Sequence, residues 1–462
     1  MNPFLNPVFL YRIAKGYFFD ISRLHRFSPQ QLRKYQNKQL KKMIDKAFMV
    51  PMYQDIYEAE GINKEDINVI EDLQKLPIIK KEDFMRYESS DLIPKNKSID
   101  DFVKVSTSGT TGKSLSIYVD MYEIIMGLFG YLRTIQDYGL SWRKDRLSII
   151  GDFAPHTAET GYVKRGLLPS TVFKNAFKTI QWLDTNSEPE EVMADLEAFK
   201  PQFIGGYTGM LGHLAVLKTQ GHGVEVKPKL IASTGALLDP HLKKFIEQAF
   251  RTKVFEVYGA TETGPIAFQC AQKGIYHIMS DLLHLEIIDG TGKMVSSKEG
   301  GHLVVTKLFG GGTPIIRYNA INDIVAPLYE PHTCNLAGDL IYKIYGRDKI
   351  RLFRNDGKII LASSLTSIFS RLLYELKTSK VREMKVIQHT FDDIEIQVVI
   401  DEGLRNKGPS IDEIFSVFTQ GFKEKFGSSV VVRCHEVDKV SRDEPRIVSR
   451  VDPASISFSG YI

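Results

Sequence analysis

Ser106-Thr107-Ser108-Gly109-Thr110-Thr111-Gly112-Lys113 stands between Phe102, Val103 and Val105 on one side and the alternating Leu115, Ile117 and Val119 on the other. The apolar flanks predict a strand on each side, so the polar run becomes the loop between two strands. Glycines let consecutive backbone N–H groups converge on an anion, hydroxyls add donors, and Lys113 adds positive charge; that set suits a polyphosphate. It is not a Walker loop, which needs four residues between the glycine and Gly-Lys and a helix after them. Here two residues intervene and a strand follows, which disfavours a kinase or P-loop NTPase. Taken alone, an exposed hairpin accounts for such a loop as well.

A second polar loop, Tyr258-Gly259-Ala260-Thr261-Glu262-Thr263-Gly264, follows the apolar Val254, Phe255 and Val257. An aromatic ring there can stack on a base, a hydroxyl can hold a phosphate oxygen, and a carboxylate can hold Mg2+ between phosphates. Read on its own, the stretch could equally be a plain turn. Around the two loops, strand-like runs at 146–150, 203–206, 229–233 and 254–258 alternate with helical stretches at 188–199 and 241–250, which predicts a layered α/β domain.

The chain before the first loop has another texture. Leu32, Tyr35, Leu40, Met43, Ile44 and Ala47 recur at near-helical spacing among Lys and Arg, and Pro51 and Pro77 break shorter helices up to residue 87. Past Gly300 the pattern turns strand-rich at 302–307 and 315–318, and 345–357 reads as a turn between units. Beyond it come strands at 381–389 and 395–400, a helix at 411–426 and a strand at 430–436. The expected fold is α/β: a large multi-layer amino-terminal domain over 1–345, helical over 1–90 and basic at its start, and a small α+β carboxy-terminal domain over 346–462.

The 462 residues, 43% hydrophobic and 25% charged, suffice for a substantial core and more than one domain. No apolar run reaches the roughly 18 residues of a spanning helix, because the most apolar segment, 124–132, contains Gly127 and Gly130 and runs into Arg133. The amino-terminus lacks a signal-peptide pattern. Three cysteines, Cys270, Cys334 and Cys434, suit a reducing compartment, so a cytoplasmic protein is expected. Net charge is +4, yet the first fifty residues hold ten Lys/Arg against Asp20 and Asp45, which leaves +8 there and −4 in the remainder. Phe4, Phe9, Tyr11, Tyr17, Phe18 and Phe19 lie among those charges. The mixture suits peripheral contact with an anionic membrane, at its inner face, and equally a basic helix packed by its aromatics on its own domain. No nucleic-acid partner is expected.

The two loops together match the phosphate-binding and Tyr-Gly-x-Thr-Glu signatures of the acyl-adenylating superfamily, and further segments follow in that family's order. They are Ser233-Thr234-Gly235-Ala236, Arg317-Tyr318-Asn319-Ala320-Ile321-Asn322-Asp323 and Tyr345-Gly346-Arg347-Asp348-Lys349-Ile350. The run 33–84, with Val50-Pro51-Met52-Tyr53 and Leu76-Pro77-Ile78-Ile79-Lys80, resembles the phenylacetate–coenzyme A ligase branch and its CapK-type capsular-polysaccharide proteins. The resemblance implies a small domain that is mobile about a hinge, and an ATP-dependent, AMP-forming ligase. A small carboxylic acid attacks the α-phosphate of ATP to give acyl-AMP and pyrophosphate. The acyl group then passes to CoA, to an amine, or to a sugar hydroxyl in cell-surface polysaccharide biosynthesis.

Site roles follow from the same resemblance. Ser106, Thr107, Ser108, Gly109, Thr110, Thr111, Gly112 and Lys113 cradle the β- and γ-phosphates, and Gly235 and Ala236 line the adenine. Tyr258, beside Gly259, stacks on the base, Thr261 touches the α-phosphate and Glu262 holds Mg2+. Asp323 accepts from the ribose, and Arg347 contacts the nucleotide from the hinge.

Two segments depart from the pattern. The family's small domain delivers a lysine from a Gly-Lys pair, whereas this chain has Pro445 and Arg446, with Lys439 and Arg442 nearby. Arginine keeps the charge but is a planar fork. The branch also carries a zinc site: Cys270, His277 and Cys334 match it, but Leu336 stands where the last cysteine belongs, with His332 as a local substitute. Buried structural thiols are the alternative. His156 carries no assignment. A nucleotide-binding scaffold without adenylation and an ATP-independent acyltransferase are the rival readings.

Overall fold

The computed structural model describes residues 6–106, 115–153, 157, 160, 179–330, 334, 336–348, 351–441, 444–452 and 460–461. Thr107, Ser108, Gly109, Thr110, Thr111, Gly112 and Lys113 lie outside the described residues, as do Phe4, His156, His332, Lys349, Ile350 and Arg442. The flanks of the first loop do form its two strands. β1 (Val103–Ser106) and β2 (Ser116–Val119) pair antiparallel from Val103↔Val119 to Ser106↔Ser116. Val105, Ile117 and Val119 are fully buried, which is what the alternation requires.

The chain divides into two compact units. The first holds Met1–Thr185, Phe255–Ile321 and Val325–Lys343; the second holds Asn186–Val254, Asn322–Ile324 and Ile344–Ile462.

In the first unit, helix α1 (Pro7–Lys15) is capped by Asn6, whose side chain accepts from Val8 N–H at 2.9 Å. Helix α2 (Pro29–Ala47) opens on a capping box of Ser28 and Gln31 and buries Leu32, Leu40, Met43, Ile44 and Ala47 of the stripe expected from spacing, with Tyr35 half-buried. Helix α3 (Met121–Asp137) carries Arg133, which is buried because Asp281 accepts two of its N–H groups at 2.8 and 2.7 Å. Arg23 donates to the same carboxylate at 2.9 Å, and together the two cations hold the Asp281 carboxyl below its ordinary range despite burial. Leu283–Ile288 pairs antiparallel with Gly301–Lys307, and Gly264–Gln269 with Tyr276–Ile278. A parallel pair, Leu147–Gly151 with Ile180–Asp184, also belongs to this unit.

Two expected elements differ. Residues 315–318 do not form a strand: Tyr318 makes only single bridges, to Ile79 and Val305, because Arg317 turns to φ +46°. Among the described residues of 345–357, strand fills the parts within Leu340–Arg347 and Arg351–Phe353, while Asp348 and the residues 355–356 are turns.

The second unit contains the parallel strands Phe203–Tyr207 and Leu230–Thr234, and helices Pro189–Phe199, Thr208–Thr219 and Pro240–Phe250. It also contains a four-stranded sheet ordered Val431–Glu436, Asp393–Ile400, Val381–Thr390, Ile447–Ser449. Helix Ile411–Phe426 packs Ile414, Phe418 and Phe422 into a core with Val386, Ile394, Ile396 and Val398. Among the described residues no helix is long and apolar enough to cross a membrane.

Candidate active site

Tyr258 to Gly264 form one hairpin. β3 (Lys253–Ala260) and β4 (Gly264–Gln269) pair antiparallel with Gly259 opposite Pro265 and Ala260 opposite Gly264. Thr261, Glu262 and Thr263 make the turn, closed by Thr263 N–H donating to the Ala260 carbonyl at 3.2 Å. Gly264, at φ +72°, supplies the left-handed residue that follows a three-residue turn. A Cβ on Gly259 would stand 2.9 Å from the Gly264 carbonyl oxygen, so the strands can approach this closely only with glycine there.

The turn presents Glu262 from a buried mount. Its carboxylate accepts the O–H of the fully buried Tyr318 at 2.9 Å, and its backbone carbonyl accepts from Lys307 Nζ at 3.2 Å. Lys307 in turn pairs with Glu123. Burial pushes the Glu123 carboxyl up against the opposing pull of Lys307. Burial, and then the Glu262 charge, raise the Tyr318 phenol, so Tyr318 keeps the proton it donates.

The amino-terminal run holds the segment that carries Tyr318. The Tyr53 hydroxyl donates to the Pro314 carbonyl at 2.9 Å and accepts from Ile316 N–H at 3.2 Å. Ile79 N–H donates to the Arg317 carbonyl at 2.9 Å, and the Ile79 carbonyl accepts from Asn319 N–H at 3.0 Å. Arg317 clasps Glu286 through two bonds, 2.9 and 2.8 Å, which offsets the cost of its left-handed backbone.

In the second unit, Gly235 and Ala236 are exposed at the end of Leu230–Thr234. Gly235, at φ +82°, lies so close to the Tyr207 ring that a Cβ would fall 2.2 Å from a ring carbon. Thr208 Oγ1 meets Ser233 Oγ at 2.7 Å and donates to the Ala236 carbonyl at 3.0 Å, fixing the loop from below. Asp323 is buried at the start of its strand, after Asn322 at φ +58°, whose carbonyl accepts Asp348 N–H at 2.7 Å. Arg347, next to Asp348, is exposed. Arg446 is also exposed, with one ion pair to Glu383 at 3.7 Å, while its carbonyl accepts Val386 N–H at 2.8 Å. So long and exposed a pair contributes little.

No family model matches the chain. Protein CapK of Staphylococcus aureus is 21% identical over 445 residues, spanning 93% of this chain and 90% of that protein. A phenylacetate–coenzyme A ligase of Pseudomonas putida is 24% identical over 302 residues, 63% of this chain and 66% of that enzyme. Among solved structures, 2-hydroxyisobutyryl-CoA ligase in its postadenylation state with 2-HIB-AMP superposes with TM-score 0.70 at 16% identity, covering 90% of this chain and 89% of that one. In the thioesterification state, with 2-HIB-AMP and CoA, the same ligase gives 0.62 over 93% and 91%. The chain has the fold of this acyl-CoA ligase and is similar in sequence to CapK and to phenylacetate–coenzyme A ligases.

The functional residues that the sequence pattern did not reveal are the mounts: Tyr318, Lys307 and Glu123 under Glu262, and Tyr207 and Thr208 under Gly235 and Ala236. The adjacency of Tyr318 to Arg317 in a family segment was a signal for the first; nothing in the local sequence pointed to the others. The family's metal residues do come together. Ligand atoms of Cys270, His277 and Cys334 all lie within 4.8 Å of one another, with the two sulfurs 3.2 Å apart. Cys270 and His277 are buried, and burial, then Cys270, push the Cys334 thiol up to about 11. Two soft thiols and an imidazole within reach of one ion form a donor set that suits zinc.

Proposed function

We propose that the chain is an ATP-dependent, AMP-forming acid–CoA ligase of the cytoplasm. A small carboxylic acid is activated as its acyl-adenylate and passed to CoA; an amine or sugar hydroxyl acceptor in polysaccharide biosynthesis is the finer alternative that likeness to CapK suggests. The observation that carries the reading is the Glu262 turn: an acidic side chain in a hairpin turn, braced by Tyr318 and Lys307, in a chain with the acyl-CoA ligase fold. Glu262 holds the Mg2+ that arrives with ATP, Thr261 touches the α-phosphate, and Ser106 to Lys113 cradle the outer phosphates. Tyr258, Gly259, Gly235 and Ala236 bind the adenine, Asp323 the ribose, and Arg347 the nucleotide from the hinge. The large domain spans 1–345 and the small domain 346–462. Arg446 supplies the cation between the attacking carboxylate and the α-phosphate, where two negative charges repel.

A panel of carboxylic acids, incubated with Mg-ATP in the presence and absence of CoA, tests the reading. AMP release that requires one class of acid is expected, and release that rises with CoA identifies the acceptor. Binding of ATP with no AMP released for any acid favours a nucleotide-binding scaffold. Acyl transfer without AMP favours an ATP-independent acyltransferase.

Zinc belongs to the same reading. Cys270, His277 and Cys334 would hold it, and His332 is the nearest further donor in sequence. A structural ion there ties β4 to the strand Tyr276–Ile278 and to Cys334. Elemental analysis of protein purified without chelator is expected to find about one zinc per chain, falling below about one-tenth in Cys270→Ser. Less than one-tenth in the parent chain, unchanged by Cys270→Ser, assigns the cysteines to the core instead. Peripheral contact at the inner face of the membrane is read for the basic amino-terminal arm.

A further inference from the structure

Helix α1 has two unlike faces. Phe9, Ile13 and Gly16, at helical spacing, turn inward; Gly16 sits against the Phe129 ring of α3, so close that a Cβ would fall 2.4 Å from it. Val8, Tyr11, Arg12 and Lys15, at i, i+3, i+4 and i+7, turn outward, and the chain continues into Phe18 and Phe19. Val8 is 60% exposed, Tyr11 68%, Phe18 67% and Phe19 55%. With Leu10 these make five of the fourteen exposed large hydrophobic residues among those described, within twelve positions of a 462-residue chain. Single exposed apolar side chains are ordinary, whereas a contiguous group marks an interaction surface.

The charge beside that group is of one sign. Lys38 and Lys42 are exposed and one turn apart on α2, and burial, followed by the charges of Lys38, Arg12 and Lys15, lowers the Lys42 ammonium. Lys46, the next cation along α2, faces inward to the Gly310 carbonyl and to Asp120 and Glu123, and so does not count among the outward charges. Of the nearby acids, Asp20 is taken by Arg23, and Asp45 lies farther along α2.

We propose that Val8, Tyr11, Phe18 and Phe19, with Arg12, Lys15, Lys38 and Lys42, form a docking surface for a membrane of anionic phospholipid. The rings and Val8 enter the headgroup boundary while the four cations meet the lipid charge. A neutral partner would leave the clustered cations uncompensated, and a soluble acidic one would leave the apolar stripe wet. The surface is independent of the adenylation chemistry, because none of its residues belongs to the nucleotide or metal sites.

The test is sedimentation of the full chain with vesicles of phosphatidylcholine plus phosphatidylserine, against phosphatidylcholine alone. Binding to the mixed vesicles only is expected, lost at high salt. Lys38→Ala with Lys42→Ala is expected to weaken it about 25-fold, at about fivefold per cation. Tyr11→Ser with Phe18→Ser is expected to abolish the remainder, and both pairs keep the melting temperature and any acid-dependent AMP release. Equal binding to both vesicles, binding to neither, or binding that survives both pairs overturns the proposal. A concentration-dependent dimer that Tyr11→Ser with Phe18→Ser dissolves would overturn it too, and give the face to a second copy of the chain.

Discussion

Glutamine in place of Glu262 is expected to slow acyl-adenylate formation by about 10²-fold or more, with the melting temperature unchanged. The amide keeps an oxygen to accept the Tyr318 hydroxyl at its present 2.9 Å, so the hairpin stays mounted and only the charge is lost. Mg2+ between phosphates needs that charge, whereas the fold does not. Tyr318→Phe separates positioning from charge. It removes the carboxylate's buried donor, so the expected effect is a higher Mg2+ requirement with a smaller fall in the rate at saturating metal. A Glu262→Gln enzyme that works at the parental rate removes the magnesium role, and a Tyr318→Phe enzyme with an unaltered Mg2+ dependence removes the bracing role.

Arg446→Ala is expected to lower acyl-adenylate formation by about 10²-fold and leave ATP affinity nearly unchanged, because the charge acts on the transition state more than on bound ATP. The side chain is exposed and held by one long pair to Glu383, so its removal costs the fold little. Pro445 before it fixes a backbone angle that glycine would leave open, and a guanidinium can donate to two oxygens at once where an ammonium acts as a point charge. Arg446→Lys therefore retains measurable activity. Equal rates for the parent and Arg446→Ala would pass the role to Lys439 or Arg442.

Much of the fold was legible because periodicity is local. The alternation around the first loop gave β1 and β2, the α2 stripe matched its buried face, and helix Ile411–Phe426 fell at the expected residues, opened by the Ser410 and Glu413 capping box. The misreading at 315–318 has a physical source. An apolar run looks extended, but Arg317 gives up extended geometry to reach Glu286 and the Leu76 carbonyl, partners no local pattern reveals. The site divides the same way. Glycines, hydroxyls and acids of the loops announced themselves by type and order, whereas the mounts beneath them come from afar: Tyr318 stands 56 residues from Glu262, and Lys307 stands 184 from Glu123. Such contacts exist only once the chain has folded. Family order brought Cys270, His277 and Cys334 into one expectation, and packing brings their ligand atoms within 4.8 Å.

The central claim is that this chain activates a carboxylate at the expense of ATP, and exchange of labelled pyrophosphate into ATP measures that half-reaction alone, whatever the acceptor. Exchange is expected to need both Mg2+ and an added carboxylic acid, and to fall about 10²-fold in Glu262→Gln. Bound ATP with no acid-dependent exchange across a broad acid panel would contradict it.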